Sequence, residues 1–402
     1  MHRAACVCLA LALWIGSALP AAAAPSPEVS FHRFGSAADF ASGTFDHVEP
    51  VGDALTLAAD ATGGTWTSPW VDPGVPAVRL VASWNADTPD DSWIEVDLQA
   101  TTSDGTPTSW YVMGVWAFDD TAIQRTSQDG QADANATVET DTLVSRDQPL
   151  VAYRLRASLQ RSATDRASPS LRMLGAMAST TRRTRLEATS APGLASGVEL
   201  SIPAYSQEIH AGEYPRWAGG GEVWCSPTST EMVVEYWGHG PSPDELAWVD
   251  PSIADPSVDF AARHTYDAAY HGTGNWPFNT AYAAHYGLDG FVTQLRSLNE
   301  AEQFIAAGIP LVASIAVGPH QLAGFLFDGG TNGHLVVIGG FTDAGDPIVY
   351  DPAATSDASV RRVYDRGQFE RAWLGGSGGI VYVIHPASVP LPPHPGDSAA
   401  SW

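Results

Sequence analysis

One thiol dominates the chemistry this chain can do. In Trp224-Cys225-Ser226-Pro227-Thr228-Ser229-Thr230-Glu231-Met232-Val233-Val234-Glu235-Tyr236-Trp237-Gly238 a loop runs into a helix, with the cysteine at the turn. Pro227 suits the first helical turn, where its missing N–H is no loss. Ser226, Thr228 and Ser229 are placed to cap the unpaired N–H groups there. Met232, Val233, Tyr236 and Trp237 recur at helical spacing, which predicts one apolar face, and Gly238 is a natural stop. The dipole at a helix N-terminus favours negative charge, so a nucleophilic thiolate is favoured at this position. The plainer alternative is a buried cysteine acting as a small apolar side chain.

Three further segments carry polar residues at the ends of apolar runs: Ile202-Pro203-Ala204-Tyr205-Ser206-Gln207, Gly333-His334-Leu335-Val336-Val337-Ile338-Gly339-Gly340-Phe341 and Val349-Tyr350-Asp351-Pro352-Ala353. Each has an ordinary structural explanation. His334 can be a satisfied core histidine, Asp351 before Pro352 is a turn signal, and Gln207 alone says nothing. Their order around the cysteine makes the set informative.

With these markers, Tyr-Ser-Gln, Cys-x-Pro-Thr-Ser opening a helix, Gly-His-Leu-Val-Val and Tyr-Asp-Pro, the chain from about Ile202 to Pro386 resembles the papain-like cysteine peptidases. The likeness is to the bacteriocin-leader peptidases and their secreted relatives, cysteine peptidase family 39. The resemblance implies a papain-like α+β fold without cofactor or metal. Cys225 is then the nucleophile, His334 the base, Asp351 the residue that orients His334, and Gln207 an oxyanion donor beside the Cys225 N–H. By position, Asn275-Trp276-Pro277 lines the substrate cleft. The chain departs from the family pattern in two places. Ser226 stands where the family usually has Gly, and the Gln207-to-Cys225 gap is long, with Gly219-Gly220-Gly221 available to fold it back. Geometry adds a condition. A tight hairpin centred on Ala344-Gly345 sets Asp351 opposite Ile338, about 13 Å along the strand from His334. The turn must therefore centre near Thr342-Asp343, or a bulge at Gly339-Gly340 must take up the slack.

The elements that position these residues follow from patterning. Residues 1–23 have a basic start, an apolar run and a run of alanines, which predict a secretory signal peptide cleaved after Ala23. Cys6 and Cys8 leave with it, so Cys225 can form no internal disulfide and is a liability in an oxidising compartment unless it does chemistry. Residues 28–187 contain short runs of alternating apolar and polar residues. In Ser92–Gln99, Ile94, Val96 and Leu98 share one face while Trp93, Glu95 and Asp97 share the other. This predicts an all-β sandwich, jelly-roll-like, with Trp66, Trp70, Trp84, Trp93, Trp110 and Trp116 mainly filling its core. A small-residue linker spans 188–197. The peptidase domain is expected at 198–386: helices at Asn279–Tyr286, Glu300–Ala307 and Gln368–Leu374, a loop-rich insertion from Gly238 to Pro277, and strands after Leu311. A Pro-rich tail, 387–402, is expected to be disordered.

All 20 basic residues are arginines, set against 45 acids, for a net charge of −25 and a composition typical of a GC-rich bacterial gene. Such a surface repels nucleic acid and anionic lipid. The expectations are a secreted hydrolase without a membrane anchor, a protein or peptide substrate, and cell-wall or carbohydrate contact through the first domain. His239, His264, His271, His285 and His320 show no helical His-x-x-x-His spacing, so no catalytic metal is expected. Two alternatives stand beside the peptidase: a transglutaminase-like acyl transferase, and a silent surface protein that binds carbohydrate.

Overall fold

The computed structural model describes residues 28–164, 166–184, 186, 188–394 and 400–402. The predicted signal peptide lies outside them. Among the described residues no helix is long and apolar enough to cross a membrane.

The described residues fold into three sheets, all of whose named strand pairs are antiparallel. Residues 29–179 supply a seven-stranded and a five-stranded sheet. The third has six strands in the order Asp289–Gln294, Ile380–His385, Leu311–Val317, Thr331–Phe341, Pro347–Tyr350, Arg361–Val363. In the strand Ser92–Thr102 the expected alternation holds, with Ile94, Val96 and Leu98 fully buried. Asp97 is buried on the opposite face, where the Arg156 guanidinium meets it at 2.9 Å. Only half the tryptophans behave as expected. Trp66, Trp84 and Trp116 fill the core, whereas Trp93 and Trp110 are half-buried and Trp70 is 45% exposed. Arg154 stacks on both Trp70 and Trp110, and Arg156 on Trp110, so cations rather than core side chains cover these rings.

In the second half the helix Cys225–Tyr236 lies against the strand Thr331–Phe341, where Ser229 Oγ donates to Leu335 O at 3.1 Å. This helix is buried on every side from Ser226 to Val234, not along one face. Two helices differ from expectation for reasons visible in the sequence. Pro256–Thr265 lies inside the supposed loop insertion, with Pro256 in its first turn; Trp276–His285 begins earlier than predicted because Asn275 caps it, accepting from Phe278 N at 3.2 Å. The segment read as a linker is mostly exposed but tethered: Ala195 is fully buried and Ser190 N donates to Glu370 Oε2 at 2.8 Å. In the region expected to be a disordered tail, residues 400–402 make contacts with the body of the protein. Ser401 is fully buried, Trp402 packs edge-on against Phe304 at 4.9 Å, and Phe31 N donates to Ala400 O.

The halves share one continuous core. Phe278 packs against Trp84 and Trp116, while Phe118 stacks on His264 and His285.

Candidate active site

The helix brings Cys225 to its first position, half-buried, at the wall of a cavity of about 670 Å³ that Gln207, Trp276 and His334 also line. The expected Ser/Thr caps are absent. Ser226 Oγ pairs with Tyr382 OH at 2.9 Å and Thr230 Oγ1 with Asn279 Oδ1 at 3.2 Å, both in the interior. The helix N-terminus is left without a side-chain cap at the cysteine. Ser226 therefore points into the interior and does not line the cavity.

His334 is buried on its strand, and its Nε2 donates to Asp351 Oδ1 at 2.8 Å. Cys225 lines the same cavity and acts on the imidazole electrostatically. Phe325 and Phe327 present their edges and faces to the ring at 6.0 and 5.5 Å. Burial opposes the imidazolium, but Asp351 and Cys225 outweigh it and push the His334 pKa up to about 10. Asp351 is fully buried and also accepts from Tyr364 OH at 2.8 Å and Ala353 N at 3.0 Å. Burial alone would raise its pKa; His334, Tyr364 and Ala353 together hold it below the usual carboxylate value.

The turn does not move to Thr342-Asp343; the bulge takes up the slack instead. The turn centres on Ala344, pairing Phe341 with Pro347, and the register slips by one residue between Ile338 and Gly340. Extending the Val337–Tyr350 pairing by one step sets Asp351 against Val336, two residues from His334 and on the same face. Without the bulge Asp351 would fall against Val337 and face the other way. Gly339 is required here: a Cβ would sit 2.7 Å from Ile202 Cδ1 and from a Tyr350 ring carbon.

Gln207 is buried in a short 3-10 turn. Its Nε2 donates to Glu222 O at 2.8 Å and, at 3.3 Å, to Glu208 Oε1, while its own Oε1 has no partner. Trp276 reaches the cavity. Asn275 does not: it is fully buried, and beyond capping its helix its Nδ2 donates to Asp267 Oδ2 at 2.9 Å. Asp267 in turn accepts from Tyr270 N at 3.2 Å, so Asn275 positions the cavity loop rather than touching what enters.

A cluster missed in the sequence is His210, Glu213 and Asp259, brought together by the Gln207 turn and the unpredicted helix. His210 Nδ1 lies 2.8 Å from Glu213 Oε2 and 3.1 Å from Asp259 Oδ2, all but Glu213 buried. These donor types suit a divalent cation, and equally a protonated imidazole held between two carboxylates. Burial lowers the His210 pKa but the two acids outweigh it, and the net rise favours the second description.

Two family models match the chain in tandem. Residues 30–179 match the Peptidase C39 N-terminal domain, and residues 199–379 match the Peptidase_C39 like family. The class this defines is the C39-like peptidases, and the resemblance read from the motifs is thereby shown. No curated protein matches. Among solved structures the chain is similar to a protein described as a C39-like peptidase from Bacillus anthracis, at 19% identity and a TM-score of 0.30, over 46% of this chain and 96% of that one. A family two carbohydrate esterase from Cellvibrio japonicus follows at 16% identity and a TM-score of 0.20, over 41% of this chain and 37% of that one.

Proposed function

We propose that the chain is a secreted cysteine peptidase: a papain-like α+β unit preceded by a β-sandwich, hydrolysing peptide bonds through Cys225, His334 and Asp351. The observation that carries this is that Cys225 and His334, from separate parts of the second half, line one open cavity, with the buried Asp351 held against His334 at 2.8 Å. Cys225 Sγ attacks the amide carbonyl. His334 holds the proton as imidazolium and delivers it to the leaving amine, and the acyl-enzyme is then cleaved by a water that His334 deprotonates. Asp351 keeps the ring oriented and favours its cation. The uncapped N–H groups at Cys225 and the Gln207 amide, whose second N–H makes only the 3.3 Å bond, face the developing oxyanion.

The test is labelling of Cys225 by an electrophilic cysteine probe in wild type and His334→Ala at neutral pH, with peptide hydrolysis followed alongside. Loss of both in the variant supports the reading; equal labelling rates defeat it. Added amine separates hydrolysis from acyl transfer of the transglutaminase type, because only transfer gives an amide adduct. Export is tested by the N-terminus of the secreted chain, expected at Ala24.

A further inference from the structure

Among the described residues that line the catalytic cavity, three are arginines from the first half of the chain, Arg79, Arg182 and Arg183, and the only acid is Glu222. This gathering runs against a composition of 45 acids to 20 arginines. Arg182 is paired with Glu139. Arg183 is exposed, and its guanidinium meets no carboxylate among the described residues.

Arg79 is the informative member. It is 4% exposed, and its Nη2 donates to two neutral acceptors, Gln294 Oε1 at 2.6 Å and Ser377 O at 2.8 Å. Its buried Nε has no partner, and no described carboxylate forms an ion pair with it. The acid acting on it through space, Asp141, spends its oxygens on Trp276 N at 2.7 Å and Thr142 Oγ1 at 3.0 Å, and burial raises its pKa to about 6. Burial and Arg182 lower the Arg79 pKa only to about 9, so the guanidinium stays charged at neutral pH. A desolvated cation with no carboxylate in direct contact is costly, and the through-space charge of Asp141 offsets that only in part, so an arriving anion would be favoured.

We propose that Arg79 and Arg183 form an anion subsite at one end of the cleft, selecting peptides that present a carboxylate there, from an acidic side chain or a C-terminus. The first half of the chain would thus supply specificity to chemistry located in the second. This inference rests on the peptidase reading for turnover but not for binding.

The experiment uses the full chain and peptides matched in pairs, Glu against Gln at each position and free acid against C-terminal amide. Hydrolysis is measured with wild type, and binding by fluorescence anisotropy with Cys225→Ala. A charge-assisted contact predicts about a tenfold preference for the carboxylate member of one pair. Which pair shows it identifies the source. In Arg183→Ala the preference should shrink to about threefold or less, with Arg79→Gln acting in the same direction. Arg79 is buried, so Arg183→Ala carries the test where Arg79→Gln does not fold. Equal handling of both members of every pair, or a preference that Arg183→Ala leaves intact, overturns the subsite. A binding preference in Cys225→Ala without turnover by wild type leaves the subsite standing and removes the peptidase reading; turnover without preference does the reverse.

Discussion

Replacing Asp351 with Asn isolates the charge of the buried acid from its geometry. Asn keeps an oxygen that can accept from His334 Nε2, now at 2.8 Å from Asp351 Oδ1, so the ring keeps its orientation while the negative charge disappears. Opposite charges about 4 Å apart interact by about 4 kcal/mol at an effective dielectric of 20. Since one pKa unit is about 1.4 kcal/mol, the His334 pKa should fall by between about one and three units. The sign follows from the active form. Catalysis needs the imidazolium, which is lost as pH rises through the His334 pKa of about 10; lowering that pKa moves the alkaline limb of kcat/KM to lower pH. The same shift should appear in the pH dependence of Cys225 alkylation. Stability gives an independent readout. The contribution of the raised His334 pKa is complete below 6.5 and lost between 6.5 and about 10, so Asp351→Asn should lose its share at lower pH in thermal unfolding. An alkaline limb that stays in place in Asp351→Asn would refute the coupling, whatever happens to the absolute rate.

Gly339→Val should cost about 1–3 kcal/mol from overpacking against Ile202 and Tyr350. Measured by kcat/KM where the variant is fully folded, its activity should fall further than stability explains, because a flattened bulge turns Asp351 to the wrong face. Ser226→Gly leaves the buried Tyr382 hydroxyl without its 2.9 Å partner, for an expected loss of about 1–3 kcal/mol in denaturant unfolding. Its kcat should stay within about threefold, as Oγ does not face the cavity; a larger drop would place Ser226 in the chemistry. Glu231 is fully buried, accepts from Tyr282 OH at 2.7 Å, and has its pKa pushed well up by burial. A raised carboxyl pKa withdraws stability as pH climbs above the ordinary 4.5, so Glu231→Gln should match wild type in acid and exceed it in Tm at pH 8. Proteolytic nicking between Thr189 and Gly197 should leave the two halves associated and unfolding in a single transition, while release of an active second half would contradict the shared core.

The parts legible in the sequence were those set by local rules. Period-two alternation located the strand Ser92–Thr102, and Pro227 after a lone cysteine located the helix start. The hairpin was legible as a constraint: strand rise required a turn near Thr342-Asp343 or a bulge at Gly339-Gly340, and the chain uses the bulge while the turn stays on Ala344. Some misses had a signal that went unread. Asn275-x-Pro277 is an N-cap followed by a first-turn proline, which predicts a structural role for Asn275 better than proximity to a tryptophan predicts a substrate contact. Asp255-Pro256 is of the same kind, although Asp255 makes no side-chain cap bond. Others had no local signal. Ser226 faces Tyr382 because a strand 156 residues away lies behind the helix, and Arg79 meets the cavity because Gln294 and Ser377 hold it there.

Those long-range ties decide what the first half contributes. Arg125 donates to Arg263 O at 2.7 Å, Ser127 N to Asp267 Oδ1 at 2.9 Å and Trp276 N to Asp141 Oδ2 at 2.7 Å. Each joins a residue of the first half to the helix Pro256–Thr265, the cavity loop after it, or the start of the Trp276 helix. Buried polar bonds of this kind are costly to leave unmade, so the loop Tyr270–Gly274 has its position fixed from both sides, by Asn275 within its own half and by Ser127 and Asp141 from the other. Cys225, His334 and Asp351 all belong to the second half of the chain. The cavity in front of them, with its tryptophan and its arginines, exists only where the halves are joined. Loosening the join between the halves should therefore erode selection and cleft shape before it disturbs the His334–Asp351 pair.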